Sequence, residues 1–327
     1  MTELMERILS RENMMQAYKK VKAKNGASGV DGIGTEEIRE YLIENWEEIR
    51  EKIKKRKYKP QPVLRVEIPK PNGGTRNLGI PSVVDRIIEQ AIVQVLTPIV
   101  EPYFSEYSYG FRPKRSAQQA VLKLLEYFND GYLYVVDIDL EKFFDNVPQD
   151  KLMTLVGKII QDPDTESLIA KYLKAGVMVK GRYEESTKGT PQGGNLSPLL
   201  SNIMLNELDK ELEARDLHFV RYADDCVIVV KSSAAASRVM HTVTNWIERK
   251  LGLKVNASKT KVTKPSHLKY LGFGFVKMGD KWQARPHADS LAKFKRTLKR
   301  LTSRSWGISM DERIQRLNWV IRGWINY

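Results

Sequence analysis

Two adjacent aspartates, Asp224 and Asp225, stand between two short apolar runs at 219–220 and 227–230. Runs this short and rich in β-branched residues predict two strands joined by a tight turn, with the acidic pair at or next to that turn. Neighbouring carboxylates repel each other and lose hydration, so the pair by itself adds nothing to stability. A divalent cation offsets that repulsion, and carboxylates hold Mg²⁺ against phosphates in many proteins. The alternative is a solvated hairpin turn, where aspartate is common.

A third carboxylate has a candidate upstream, in the mostly apolar run 132–140. This run predicts a buried strand that delivers Asp139 at its carboxyl end. Asp137 lies on the same face, because side chains alternate along a strand. Asp145 follows two aromatics and either joins these carboxylates or caps the next helix. Asp139 together with the acidic pair favours a metal site over a solvated turn.

The elements that must position these carboxylates follow one another in mixed order, which favours an α+β fold over a doubly wound sheet. Helices are predicted over 2–24, 35–54, 82–100, 116–128 with Ser116 as its N-cap, about 148–175, 198–215 and 233–251. Strands are predicted over 63–68, 75–78 and 132–140, around 180–182, in the acidic hairpin and across 254–285, with a turn at 69–74.

Six short blocks occur in order along the chain: 76–81, 108–113, 139–145, 191–198, 222–225 and 268–273. With 29–32 near the N-terminus, the set resembles the bacterial group II intron reverse transcriptases, also called maturases. The tetrapeptide Tyr-Ala-Asp-Asp at 222–225 is similar to the signature of that family, and 139–145 is similar to its first acidic motif. The resemblance covers nearly all 327 residues.

The resemblance implies a right-hand polymerase with fingers, an antiparallel-sheet palm and a partial helical thumb. The implied divisions are an N-terminal extension over 1–34, fingers over 35–131, a palm over 132–286 with finger-side helices at about 148–180, and a thumb that starts at 287–327. Residues 313–327 run at helical spacing and stop without a glycine or proline terminator, so the thumb is expected to be incomplete.

The resemblance also implies a two-metal site. Asp139, Asp224 and Asp225 would be catalytic and, with the backbone of Leu140, would hold two Mg²⁺ ions, for which Mn²⁺ can substitute. One ion would lower the pKa of the primer 3′-hydroxyl, and the other would neutralise the triphosphate and the leaving pyrophosphate.

Contacts to the nucleotide and the nucleic acid follow from the same resemblance. Phe144 would be a steric gate that excludes a 2′-hydroxyl, whereas Phe143 would pack in the core. Lys259 is a candidate proton donor to pyrophosphate, and Lys261 is an equally good one. The nucleotide-binding residues are Lys70, Arg76, Phe144, Gln192 and Gly193. The expected nucleic-acid-binding residues are Arg112, Tyr222 and Lys259, together with five cations that the local excess of positive charge suggests: Lys293, Lys295, Arg296, Lys299 and Arg300.

The net charge of +14 is concentrated at one end of the chain. Residues 254–327 hold 17 Lys or Arg against 4 Asp or Glu and therefore account for +13 of it. Such asymmetry indicates a polyanion-binding surface, whereas scattered charge would be an ordinary solvated face. A second basic cluster is balanced by acids upstream; it contains Lys52, Lys54, Lys55, Arg56, Lys57 and Lys59.

Composition restricts the remaining classes of protein. A single cysteine, Cys226, excludes an internal disulfide and a cysteine-based zinc site. The longest apolar runs fall well short of the ~18 residues that cross a bilayer, so a cytoplasmic bacterial protein without a membrane partner is expected.

Three functions remain open at this stage. The first is an RNA-directed DNA polymerase of a group II intron, with an RNA template, a DNA or RNA primer, dNTPs and the intron RNA as partners. The second is an RNA-binding splicing cofactor that does not need polymerase activity, and the third is another palm-type nucleotidyltransferase. The oligomeric state is left open, a homo-oligomer included.

Overall fold

The computed structural model describes residues 1–69, 75–305 and 307–327, without the side chain of Arg76. Most of the turn predicted at 69–74 therefore lies outside the described residues. No helix within the described ranges is long and apolar enough to cross a membrane.

The N-terminal segment forms two helices, α1 (Glu3–Ile8) and α2 (Arg11–Ala23), where the periodicity predicts one helix over 2–24. The helices separate because Ser10 caps α2, its hydroxyl accepting a hydrogen bond from the Asn13 amide at 3.4 Å. The next helix, α3 (Ile38–Lys54), begins three residues after its predicted start. Both N-terminal helices pack against the long apolar helix α4 (Val83–Val100).

An outer sheet is built from two hairpins. One contains β1 (Val63–Pro69) and β2 (Thr75–Ile80), and the other contains β4 (Val177–Val179) and β5 (Arg182–Glu184). The strand order is β2-β1-β4-β5, and β1 runs parallel to β4. The predicted hairpin around 180–182 is therefore confirmed, and it joins a sheet that begins more than 100 residues earlier.

The central sheet has the strand order β6-β7-β3-β8, and all its pairs are antiparallel. Its strands are β3 (Tyr134–Ile138), β6 (His218–Tyr222), β7 (Asp225–Val230) and β8 (Lys261–Thr263). Val136 and Ile228 pair across β3 and β7 and are inaccessible to solvent. Cys226 of β7 pairs with Ile138 and is buried as well.

The α-helices between residues 117 and 246 are α5 (Ala117–Asn129), α6 (Phe143–Asn146), α7 (Gln149–Ile160), α8 (Pro163–Leu173), α9 (Ser197–Ala214) and α10 (Ser233–Trp246). Of these, α5, α9 and α10 pack against the central sheet. Ser116 caps α5 through a complete capping box, as predicted. Asp145 lies inside α6, and α7 has Pro148 at its N-cap, so the predicted capping role of Asp145 is wrong.

The C-terminal part carries a small antiparallel sheet followed by two helices. The strands are β9 (Lys269–Tyr270), β10 (Phe273–Met278) and β11 (Lys281–Pro286), and the helices are α11 (Ala288–Leu301) and α12 (Met310–Ile325). Helices and mostly antiparallel strands in mixed order confirm the α+β class.

Candidate active site

The three predicted catalytic aspartates meet at one edge of the central sheet. Asp139 directly follows β3, while Asp224 occupies the tight β6–β7 turn and Asp225 starts β7. Because Ile138 pairs with Cys226, the antiparallel register sets Asp139 beside Asp225. Ala223 adopts a φ of 56°, the left-handed conformation that this short turn requires.

The electrostatics of this edge reflect crowded carboxylates. Although Asp225 is exposed, desolvation of its carboxyl group and repulsion from Asp224, Asp137 and Asp139 raise its pKa to about 6. Burial also raises the pKa of Asp137, partly offset by Lys261. The negative charge of these carboxylates favours the binding of a cation at this position.

Lys259 supplies one positive charge, since its Nζ lies 3.2 Å from Oδ2 of Asp139. The same loop fixes the backbone of Asp139: its amide donates to the Thr260 hydroxyl at 3.1 Å, and its carbonyl accepts from the Asn256 amide at 2.8 Å. Lys261 instead stands opposite Asp137 in the β3–β8 pairing. The structure thus distinguishes two lysines that the sequence leaves equivalent.

The donor chemistry of the site fits a hard divalent cation, because every acidic ligand offers oxygen. Leu140, whose carbonyl is the fourth candidate ligand, has a buried side chain and is bridged to Val255. Within the described ranges, no group of three or more acidic, histidine or cysteine side chains is already closed around a metal position. The ammonium of Lys259 pairs with the carboxylate of Asp139 in this arrangement.

A buried arginine that sequence reasoning missed holds the backbone of the β6–β7 turn. Arg221 of β6 is inaccessible to solvent, and its Nη1 donates to the Ala223 carbonyl at 2.8 Å and to Asn202 Oδ1 at 3.1 Å. Its Nε and Nη2 bind the two carboxylate oxygens of Asp209 at 2.6 and 2.5 Å. A Cβ on Gly110 would lie 2.2 Å from the Ala223 amide nitrogen, so the neighbouring loop also touches the turn.

A cavity of about 380 Å³ lies between the outer sheet and α6. Phe144 lines it, whereas Phe143 is buried in the core as predicted. Gly79 and Gln192 line the same cavity and are joined by a hydrogen bond of 2.7 Å from the Gly79 amide to the Gln192 carbonyl. Gly193 has a φ of 127°, and a Cβ there would lie 2.3 Å from the Gly79 carbonyl oxygen, so this position requires glycine.

Glu89 of α4 orders the loop that carries these residues. The side chain is buried, and Oε2 accepts from the amides of Asn195 at 2.6 Å and Leu196 at 3.4 Å, which precede α9. Burial and the nearby Asp85 raise the pKa of Glu89 to about 8, although the two amides favour the ionised form. No local sequence signal marks this role, because Glu89 and Asn195 are 106 residues apart.

Arg112 has a structural role inside the protein, and its predicted contact to nucleic acid stays a prediction. Its guanidinium is buried, pairs with Glu101 at 2.9 Å and donates to the carbonyls of Ser105 and Ser108. These bonds shape the loop that touches the β6–β7 turn, and they engage Nε and Nη1 of the guanidinium. Tyr222, in contrast, is half-buried directly beside the acidic pair.

The remaining predicted residues lie elsewhere or outside the description. Lys70 and the side chain of Arg76 lie outside the described residues. Five exposed cations lie on α11, away from the group around the aspartates: Lys293, Lys295, Arg296, Lys299 and Arg300.

Comparisons with known proteins show the family to which the chain belongs. The family described as "Reverse transcriptase (RNA-dependent DNA polymerase)" matches residues 68–275, more than half of the chain. "Group II intron, maturase-specific domain" matches residues 291–327. The chain therefore belongs to the reverse transcriptase family, in the branch found in group II introns, as the sequence blocks predict.

Two curated relatives are similar to this chain over most of its length. Protein YkfC of Escherichia coli (strain K12) is 33% identical over 289 residues, covering 77% of this chain and 74% of YkfC. Group II intron-encoded protein LtrA of Lactococcus lactis subsp. cremoris is 30% identical over 338 residues. That match covers 83% of this chain but only 56% of LtrA.

A solved structure supports the fold. The apo telomerase of Candida tropicalis, truncated from its C-terminal domain, superposes with a TM-score of 0.53 at 16% identity. The superposition covers 74% of this chain and 60% of the telomerase chain. The predicted right-hand polymerase fold is confirmed.

Proposed function

We propose that this chain is the RNA-directed DNA polymerase of a group II intron and adds dNTPs to a primer 3′-hydroxyl on an RNA template. The observation that carries the proposal is the meeting of Asp139, Asp224 and Asp225 at one sheet edge. This constellation suits phosphoryl transfer, which gains mainly from positioning and charge stabilisation rather than from a protein nucleophile.

In this proposal the three aspartates and the Leu140 carbonyl would hold two Mg²⁺ ions, with Mn²⁺ as a substitute. When bound, the ions would lower the pKa of the primer hydroxyl and neutralise the phosphates. Lys259 is the better placed proton donor to the leaving pyrophosphate, because its Nζ already contacts Asp139.

The cavity beside Phe144 would receive the sugar of the incoming nucleotide. The ring of Phe144 would exclude a 2′-hydroxyl, while Gln192 and Gly193 would contact the nucleotide through the loop before α9. Lys70 and Arg76 would bind the triphosphate, for which guanidinium geometry is well suited. Tyr222 and the cations of α11 would contact template and primer.

A role in splicing is compatible with the polymerase and has its own support. The maturase-specific match over residues 291–327 includes the cationic face of α11, which favours binding of the intron RNA. Under this alternative, the acidic site is dispensable for RNA binding. The bacterial relatives and the free, buried cysteine support a bacterial cytoplasmic location.

Primer extension on an RNA template tests the proposal, with dNTPs and rNTPs supplied separately. We expect extension with dNTPs that requires Mg²⁺ or Mn²⁺ and is abolished by Asp224→Asn. RNA affinity of that variant should stay within a few-fold of the parent protein. Retained extension by Asp224→Asn would sink the assignment, and RNA binding without extension by the parent would favour the splicing cofactor.

A further inference from the structure

The basic cluster at 52–59 spans the end of α3 and divides into two halves with different surroundings. The first half is neutralised on the helix: Lys52 pairs with Glu48 at 2.6 Å, and Lys54 and Lys55 pair with Glu51 at 2.7 and 3.7 Å. The second half leaves the helix where Arg56 adopts a φ of 53°. The acids upstream therefore balance only part of the cluster.

The second half faces further cations across an open groove of about 860 Å³. We define the basic groove by Arg56, Lys57, Lys59, Lys171, Lys174 and Tyr183. These residues come from the segment after α3, from the end of α8 and from β5. Sequence positions more than 100 residues apart thus contribute cations to one surface.

Three of the groove lysines have uncompensated charge. Arg56 binds Asp164 at 2.6 Å, and Lys171 donates to the Arg56 carbonyl. Lys57, Lys59 and Lys174 are exposed, and no carboxylate oxygen within the described ranges lies within 4 Å of their ammonium groups. Burial lowers the pKa of Lys171, and the like charges of Lys59 and Arg56 add to that effect. Such a field attracts a polyanion.

The groove adjoins the candidate nucleotide cavity. Gly176, Val177 and Glu184 line the cavity, and their chain neighbours Ala175 and Tyr183 line the groove. The β4–β5 hairpin and the residue before it therefore border both spaces. A nucleic-acid strand that leaves the cavity would reach the groove by crossing this hairpin.

An aromatic ring lies on that path. Tyr183 is 57% exposed, and its ring lies against Gly176, where a Cβ would come within 2.3 Å of the ring. Gly176 also has a φ of 81°, so glycine serves both the turn and the seat of the ring. An exposed aromatic beside unpaired lysines is the combination that binds single-stranded nucleic acid without sequence preference.

We propose that the basic groove binds the phosphate backbone of the single-stranded RNA template ahead of the candidate nucleotide cavity, with Tyr183 stacking on one template base. The proposal deepens the proposed polymerase function, on which it rests. It assigns the template overhang to a surface formed by Lys57, Lys59, Lys174 and Tyr183.

Salt-dependent binding of two primer–template duplexes tests the proposal, one with a one-nucleotide RNA overhang and one with about ten nucleotides. The variant is Lys57→Gln, Lys59→Gln, Lys174→Gln. On the long overhang, the slope of log K against log salt should flatten by about two units, because each single-strand phosphate contributes about 0.7. On the short overhang, the slope should stay at the parental value.

The matched control removes the same charge from Lys52, Lys55 and Lys210, each of which is exposed and paired with a glutamate. It should leave the slope on the long overhang within about half a unit of the parent. A second variant, Tyr183→Leu, keeps an apolar side chain over Gly176 but removes the π-face. It should weaken long-overhang binding about tenfold while the salt slope is retained.

Equal slopes for the triple variant and the parent on the long overhang would overturn the proposal. Equal flattening on both overhangs would overturn it too, because the groove would then bind the duplex. Since binding is measured without nucleotides, failure of the polymerase assignment appears separately, as absent primer extension by the parent protein. Circular dichroism spectra and unfolding temperatures equal to those of the parent would show that the exposed substitutions preserve the fold.

Discussion

Arg221 and Asp209 form a bidentate ion pair in which both side chains are completely inaccessible to solvent. Desolvating two charges costs more than their attraction returns in many proteins, so such a pair is poor evidence of stability. Here the guanidinium has a further partner, the Ala223 carbonyl inside the β6–β7 turn. The pair therefore holds an arginine where it positions the backbone of the β6–β7 turn, which carries Asp224 and leads into Asp225.

This relationship predicts that stability and activity separate in a double variant. Asp209→Asn alone should lower the free energy of unfolding by about 3–5 kcal/mol, because it leaves a buried guanidinium without its counter-charge. Arg221→Met combined with Asp209→Leu should recover most of that loss. Primer extension should remain at least tenfold below the parent, with a higher Mg²⁺ requirement, because the Ala223 carbonyl has lost its donor.

Urea unfolding and the Mg²⁺ dependence of kcat measure the two effects. Parental kcat in the stable double variant would show that the buried pair is only structural.

Glu89 should make stability depend on pH between about 4.5 and 8. Its pKa is raised on folding, so in this window the unfolded chain is ionised while the folded chain still binds the proton. The free energy of unfolding therefore falls as pH rises, by at most about 1.4 kcal/mol per pH unit from this group, and the loss is complete above pH 8.

Glu89→Gln should flatten that decline, because the amide oxygen still accepts from the Asn195 amide but cannot ionise. The measurement is urea unfolding at several pH values, with the exposed Glu40→Gln as control. An unchanged pH slope in Glu89→Gln would mean that Glu89 is ionised in the folded protein.

Phe144→Val should reduce sugar discrimination. The smaller side chain opens the cavity at the position where a 2′-hydroxyl would sit, so rNTP incorporation should rise relative to dNTP incorporation. The readout is the ratio of kcat/KM values for the two nucleotides. Phe143→Leu is the control, because Phe143 faces the core. A ratio that stays constant in Phe144→Val would remove that residue from the role.

The cations of α11 should contribute to the grip on nucleic acid. Replacing Lys293, Lys295, Arg296, Lys299 and Arg300 by Gln should flatten the salt slope of RNA binding by about three units. Processivity should fall, while single-nucleotide addition at saturating template should be spared. A control that replaces five paired cations should leave the slope unchanged: Arg50, Lys52, Lys55, Lys210 and Arg215. A parental slope in the α11 variant would identify a merely solvated face.

The part of the site that follows from local pattern was predictable. The β-branched runs and the two-residue turn between them define β6 and β7, and the strand parity of Asp137 and Asp139 fixes the face they share. Ser116 predicts the start of α5 because an N-cap hydroxyl accepts a hydrogen bond from an amide only three residues away, here that of Gln119.

The part that depends on distant partners was not predictable from one sequence. Arg112 has the appearance of an exposed cation until Glu101 and two loop carbonyls surround it. Arg221 and Glu89 acquire their roles only when α9 and the loop before it pack beside them. These partners are set by tertiary packing, which local propensity does not encode.

The lone thiol of Cys226 has a practical consequence. It is covered by the central sheet, and burial raises its pKa far above the usual range, so very little thiolate is exposed to reagents at neutral pH. A cysteine introduced on the surface would react with maleimide dyes, while the buried thiol of Cys226 would remain unlabelled. Fluorophores at Lys59 and Lys293 would then report, by energy transfer, how the groove and α11 approach each other as RNA binds.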